Sequence, residues 1–80
     1  MKIQLLFFGI TTDLVGTNSM TFEVLENSSV HNLKTQLITQ FSSLKNINDF
    51  AIAVNEEYAT DDLKLTNGDV VAIIPPVSGG

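Results

Sequence analysis

The residues best suited to chemistry are the last six, Pro75, Pro76, Val77, Ser78, Gly79 and Gly80. Gly79 and Gly80 carry no Cβ, so this end can thread a channel too narrow for any side chain. The two prolines favour a stiff, extended exit, which lowers the ordering cost when a partner takes the tail. Fully extended, the segment reaches roughly 20 Å. A slim tip on a stiff base suits a group delivered into another protein's pocket, and that group is the Gly80 carboxylate. A free carboxylate is a poor electrophile, because resonance stabilises it and oxide is a very poor leaving group. Adenylation by ATP would install a good leaving group, and a sulfur donor displacing AMP would leave a thiocarboxylate. The chain has no cysteine, so the backbone terminus is where it would carry sulfur. Conjugation to lysines and an inert frayed end are the competing readings of the same two glycines.

Other polar residues offer less. His31 stands alone near a helix start, and catalytic or metal roles need companions it lacks. Asp61 and Asp62 are adjacent in a loop, a spacing that suits capping or solvation better than paired acid–base work. Asp69 follows Asn67-Gly68 and reads as turn chemistry. Asp13, Glu56 and Glu57 have no metal-ligand spacing, and no phosphate-cradling glycine loop exists. Leu6 and Phe8 are surplus apolar residues; core is their default reading and a partner-docking patch the rival.

The elements that must position the tail follow from periodicity. Lys2 to Phe8 reads as a strand, with Ile3, Leu5 and Phe7 on one face and Leu6 and Phe8 on the other. Apolar residues on both faces suggest a central strand covered on two sides, or one covered by a partner. Thr12 to Val15 could add a short helical turn within the connection from Ile10 to Ser19. Met20 to Leu25 alternates as a second strand. Ser28 or Ser29 caps a helix over Ser29 to Ser42, whose buried face is Val30, Leu33, Leu37, Ile38 and Phe41, with Lys34, Gln36 and Gln40 on the wet side. Asn46 to Asp49 is a polar turn, Phe50 to Val54 a third strand, and Tyr58-Ala59 a short edge strand. After the Asn67-Gly68 turn, Val70 to Ile74 is a continuous apolar run, the mark of a strand buried on both faces. Pro75-Pro76 stops it. The order predicts an α+β fold, a mixed sheet with one main helix packed on one face, in the β-grasp (ubiquitin-like) arrangement. The domain is residues 1–74, with 75–80 an extended Gly-Gly tail.

Composition narrows the function further. Eighty residues bury one modest core with little room for an enclosed active site, which favours a carrier or binding module over a self-contained enzyme. Four lysines, no arginine and a net charge of −5 leave nothing from which to build a nucleic-acid surface. Anionic membrane surfaces are disfavoured for the same reason, and partners with basic docking surfaces are favoured. The apolar N-terminal run is short, interrupted by Gln4 and without a cleavage pattern, so a strand is expected there and not a signal peptide. No stretch approaches the roughly 20 apolar residues of a membrane helix. The expected location is cytoplasmic.

The segment from Leu65 through Thr66-Asn67-Gly68-Asp69 and Val70-Val71-Ala72-Ile73-Ile74 to Pro75-Pro76-Val77-Ser78-Gly79-Gly80 resembles the C-terminal signature of the molybdopterin synthase small subunit family. These are the sulfur carriers of molybdopterin-converting factor. Lys2 to Gly9 and Ala53-Val54-Asn55-Glu56-Glu57-Tyr58 are similar to the same family, so the resemblance spans the whole chain. It implies that a ubiquitin-activating-type adenylyltransferase uses ATP to adenylate Gly80 and that a persulfide sulfur donor then sulfurates it. It implies that the thiocarboxylate enters the large synthase subunit, which converts cyclic pyranopterin monophosphate into molybdopterin within a heterotetramer. The catalytic side chains would be the large subunit's, and no cofactor would be bound by this chain. The chain departs from many relatives between Ile10 and Val15, where Thr11-Thr12-Asp13 carries none of the basic residues common there. The sulfur carrier of thiamine thiazole synthesis is the first alternative, although it usually lacks the Ile-Pro-Pro-Val-Ser approach. A ubiquitin-like protein modifier is the second, and a plain interaction domain the third.

Overall fold

Alternating apolar residues lay down the strands, and one amphipathic helix covers them. The computed structural model describes residues 1–76. In chain order it holds β1 (Lys2–Phe7), α1 (Ile10–Val15), β2 (Ser19–Glu23), α2 (Val30–Gln40), β3 (Ala51–Val54), β4 (Glu57–Tyr58) and β5 (Val70–Ile74). Two 3-10 turns, Ser42–Leu44 and Ile47–Asp49, lie between α2 and β3. The five strands form one sheet in the order β2-β1-β5-β3-β4. The central β1·β5 pair is parallel, and the other three pairs are antiparallel. No helix among the described residues is long and apolar enough to cross a membrane.

Ile3, Leu5 and Phe7 of β1, Val71 and Ile73 of β5, Ile52 of β3 and Phe22 of β2 are buried on one sheet face. They meet Val30, Leu33 and Leu37 of α2, with Leu44, Ile47 and Leu65 closing the edges. Of the two candidate caps, Ser29 is the one used. Its hydroxyl accepts the Asn32 amide (3.2 Å) while the Asn32 side chain accepts the Ser29 amide (2.9 Å), a reciprocal capping box. The next two amides of α2 find loop carbonyls, Val30 on Leu63 and His31 on Asp61, both at 2.9 Å. The first turn of α2 is therefore satisfied.

Several expectations change. The helix ends at Gln40, two residues short of Ser42. The strand expected at Phe50 begins at Ala51, and the edge strand is Glu57–Tyr58, one residue earlier than expected. The polar turn at Asn46 to Asp49 is a 3-10 turn that buries Ile47 completely. Leu25, expected to finish the second strand, lies beyond it and is exposed. Periodicity places Lys34 on the wet side, yet it is buried, its ammonium 2.8 Å from Asp61. Its long stem covers apolar surface while its head finds a carboxylate. Most consequential, β1 and β5 are buried on one face only, with patterns that alternate buried and partly open positions.

Candidate functional site

The face of the sheet away from α2 is open. Register places Leu6 beside Ala72, Ala72 beside Ala53, and Ala53 beside Tyr58, a row of apolar side chains across four strands. Ile74 lies beside Ala51 in the row above, towards Phe8, and Val70 beside Gln4 in the row below. Phe8 is 49% exposed, Tyr58 79% and Val70 39%. Phe8 is therefore not core, and Leu6 is half-buried between its neighbours. The only charges on this face among the described strand residues are Lys2 and Glu23, opposite one another at its far end. An uncharged patch centred on aromatic and aliphatic groups has the composition of an interface centre.

β5 runs out at the top of this face. β5 ends at Ile74, Pro75 is half-buried and Pro76 exposed. Gly9, at φ 56°, turns β1 away into α1, and a Cβ there would stand 3.1 Å from Pro75 Cγ. Close approach of the proline ring uses the space a side chain would fill. Thr11, fully buried, accepts the Phe8 amide on its hydroxyl (2.9 Å) and donates that hydroxyl back to the Phe8 carbonyl. Val77, Ser78, Gly79 and Gly80 lie outside the described residues.

At the opposite end of β5 a clamp fixes its register. Asp69, buried, accepts the Thr66 amide (2.8 Å), the Thr66 hydroxyl (2.8 Å) and the Asn55 side-chain amide (3.0 Å). Burial works against its charge, but those three donors outweigh it and hold the carboxyl below the usual 3.8. The same turn grips β1, because Asn67 Oδ1 accepts the Lys2 amide and the Gly68 amide donates to the Lys2 carbonyl, both at 2.8 Å. With the start of β5 locked beside the start of β1, its last residues come up beside Phe8.

The remaining candidates sit elsewhere. His31 is exposed, 4.0 Å from Asp61. The hydrogen bond from Lys34 chiefly holds Asp61 below its ordinary carboxylate value. That cluster clasps α2 to the loop before β5, a structural contact that one-dimensional reading missed because the partners are 27 residues apart. Among the described residues no group of three His, Asp or Glu is arranged to hold a metal. The sequence reading named Leu6 and Phe8 but missed Ala51, Ala53, Tyr58, Val70, Ala72 and Ile74. Alternation along β5 was the signal that could have found three of them.

A sequence model described as the ThiS family matches residues 5–80. The chain belongs to the ThiS family. The molybdopterin synthase sulfur carrier subunit of Chlamydomonas reinhardtii is 36% identical to it over 83 residues, covering all of both chains. A chain in the complex of subunits 1 and 2 of molybdopterin-converting factor from Helicobacter pylori 26695 superposes with a TM-score of 0.71 at 26% identity, with full coverage of both. SAMP1 from Haloferax volcanii superposes at 0.88 over the full length of both chains. At 20% identity that last likeness speaks for the fold alone, which is the ubiquitin-like β-grasp. This ThiS-family chain thus keeps the fold expected from its element order, with Pro75-Pro76 directly after the central strand β5.

Proposed function

We propose that this chain is the sulfur-carrier subunit of a molybdopterin synthase. Residues 1–74 act as a handle, and residues 75–80 are the working arm. The observation that carries the reading is the uncharged open face of Leu6, Phe8, Ala72 and Tyr58 running up to the Pro75-Pro76 exit, in a member of this family. That face docks a partner while Pro75, Pro76, Val77, Ser78, Gly79 and Gly80 enter the partner's pocket.

The chemistry is two acyl substitutions at the Gly80 carbonyl carbon. In a ubiquitin-activating-type enzyme the carboxylate oxygen attacks the α-phosphorus of ATP, pyrophosphate leaves, and an acyl adenylate forms. The outer sulfur of a persulfide donor then displaces AMP to give an acyl disulfide. A partner thiol attacks the donor-side sulfur, so that the S–S bond breaks, thiol and donor leave as a disulfide, and Gly80 is left as a thiocarboxylate. Carried to the large synthase subunit, that sulfur replaces oxygen on the pterin precursor and Gly80 returns as a carboxylate. No side chain of this chain is asked to move a proton, and no cofactor is asked of it. Docking, reach and a slim tip are its contribution. The reading places this work in the cytoplasm.

A reconstituted transfer assay with the large subunit tests both halves. Deleting Gly80 abolishes sulfur transfer and leaves thermal unfolding unchanged, because the tail lies beyond the last strand. Phe8→Asp keeps the fold, since Phe8 is already half-exposed, and weakens binding by at least roughly 10-fold, as expected for an aromatic anchor. Molybdopterin synthesis by the truncated chain would overturn the reading.

A further inference from the structure

A strand ends where its last paired donor ends, and β5 loses two donors in succession. Rungs in a parallel pair recur in two-residue steps. On the β1 side the Gln4 amide donates to the Asp69 carbonyl (2.9 Å) and the Phe8 amide to the Ile73 carbonyl (3.3 Å). The next rung would run from the amide of residue 75 to the Phe8 carbonyl. Residue 75 is proline, which has no N–H to give. The Phe8 carbonyl is satisfied instead by Thr11, through its amide (3.1 Å) and its hydroxyl.

The β3 side is cancelled by the second proline. Antiparallel pairs alternate between bonded and non-bonded. The Asn55 amide donates to the Val70 carbonyl (2.8 Å), so Ala53 with Ala72 and Ala51 with Ile74 are the bonded pairs. Two steps further, residue 76 would donate to Asp49. Pro76 cannot donate, and Asp49 ends a 3-10 turn with its own amide committed to Asn46 (2.9 Å). Pro75 removes the rung towards β1 and Pro76 the rung towards β3.

We infer that Pro75 and Pro76 are positioning residues that free a central strand on both edges at once, with Thr11 taking the acceptor that the sheet gives up. The inference rests on Gly80 being the reacting end, and it explains why the tail starts at residue 75. Drawing two further residues into the sheet would cut the extended reach from roughly 20 Å to roughly 13 Å. A partner pocket spaced for the full arm would then be missed.

The test uses the full chain carrying Pro75→Ala and Pro76→Ala, alone, with Thr11→Val added, and with two glycines inserted after residue 76. Amide exchange by NMR reads pairing directly. The amide that Pro75→Ala creates exchanges at least about 10-fold more slowly than in a free peptide, and more slowly still once Thr11→Val removes the hydroxyl bond to the Phe8 carbonyl and leaves only the residue 11 amide on it. Sulfur loading of Gly80 by the activating enzyme with ATP falls at least about 10-fold in the double variant, and the glycine insertion restores most of it. A merely structural role would not be rescued by added length. Free-peptide exchange of the new amide at position 75 in both backgrounds overturns the inference. So does wild-type loading by a variant in which that amide is protected. If the unaltered chain accepts no sulfur, the functional reading falls, while the exchange data still decide whether the prolines end the sheet.

Discussion

At the scale of single residues, the carboxylate of Asp69 decides where the tail-bearing strand begins. Its three donors come from Thr66 and Asn55, so one side chain ties the turn before β5 to the end of β3. Charge-assisted bonds to a buried carboxylate are the costly kind to lose, and Asp69→Ala should lower stability by about 2–3 kcal/mol. The folded-state pKa lies below the ordinary 3.8, so the unfolded chain binds the extra proton in the interval between them. This part of the stability is complete above the unfolded value and is lost as pH falls through the folded one. Urea unfolding from about pH 5 down to about pH 2 should show a steeper loss in the wild type than in Asp69→Asn, which cannot titrate. Equal slopes would remove Asp69 from the account. The local half of this clamp was legible, since Asn67-Gly68-Asp69 announces a turn. The Asn55 half was not, because it joins residues 14 apart whose proximity exists only once β3 and β5 pair.

At the scale of elements, periodicity fixes which faces are apolar but not what covers them. The 3.6-residue spacing of Val30, Leu33 and Leu37 identified α2, and alternation identified β1 and β2. Apolar residues on both faces of β5 read as double burial, and on β1 as either double burial or a face held for a partner; one face of each is open. Residue type is the same whether a surface is covered by a helix of this chain or held for a partner. Lys34 failed for a different reason: its pairing with Asp61 depends on a loop folded back on α2. Conformational detail within the β3–β4 hairpin was equally out of reach. Its two turn residues, Asn55 at φ 52° and Glu56 at φ 72°, both occupy the left-handed region. Asparagine tolerates it; glutamate is strained there. Glu56→Gly should therefore raise stability by about 1 kcal/mol, read as a higher urea midpoint with an unchanged slope. A lower midpoint would mean that the turn is held by the Glu56 side chain and not merely endured.

At the scale of the whole molecule, the proposed carrier role divides the parts into a handle and an arm. A net charge of −5 favours approach to basic surfaces, and in the proposed role the apolar sheet face supplies the contact with the partner. Small size and the lack of cysteine were visible from composition, and they left the C-terminus as the place for chemistry. The open apolar face was half visible, through Leu6 and Phe8, because the rest of it is assembled from four strands. The central claim is that the last carbonyl carbon exchanges oxygen for sulfur. Intact-mass and C-terminal fragment analysis of chain purified from a sulfur-competent host tests it most directly. A mass gain of one oxygen-for-sulfur exchange, located on Gly80 and lost on incubation with the large subunit and its pterin precursor, is the expected result. An unchanged terminus in the presence of an active sulfur supply, or lysine conjugates in place of the exchange, would contradict it.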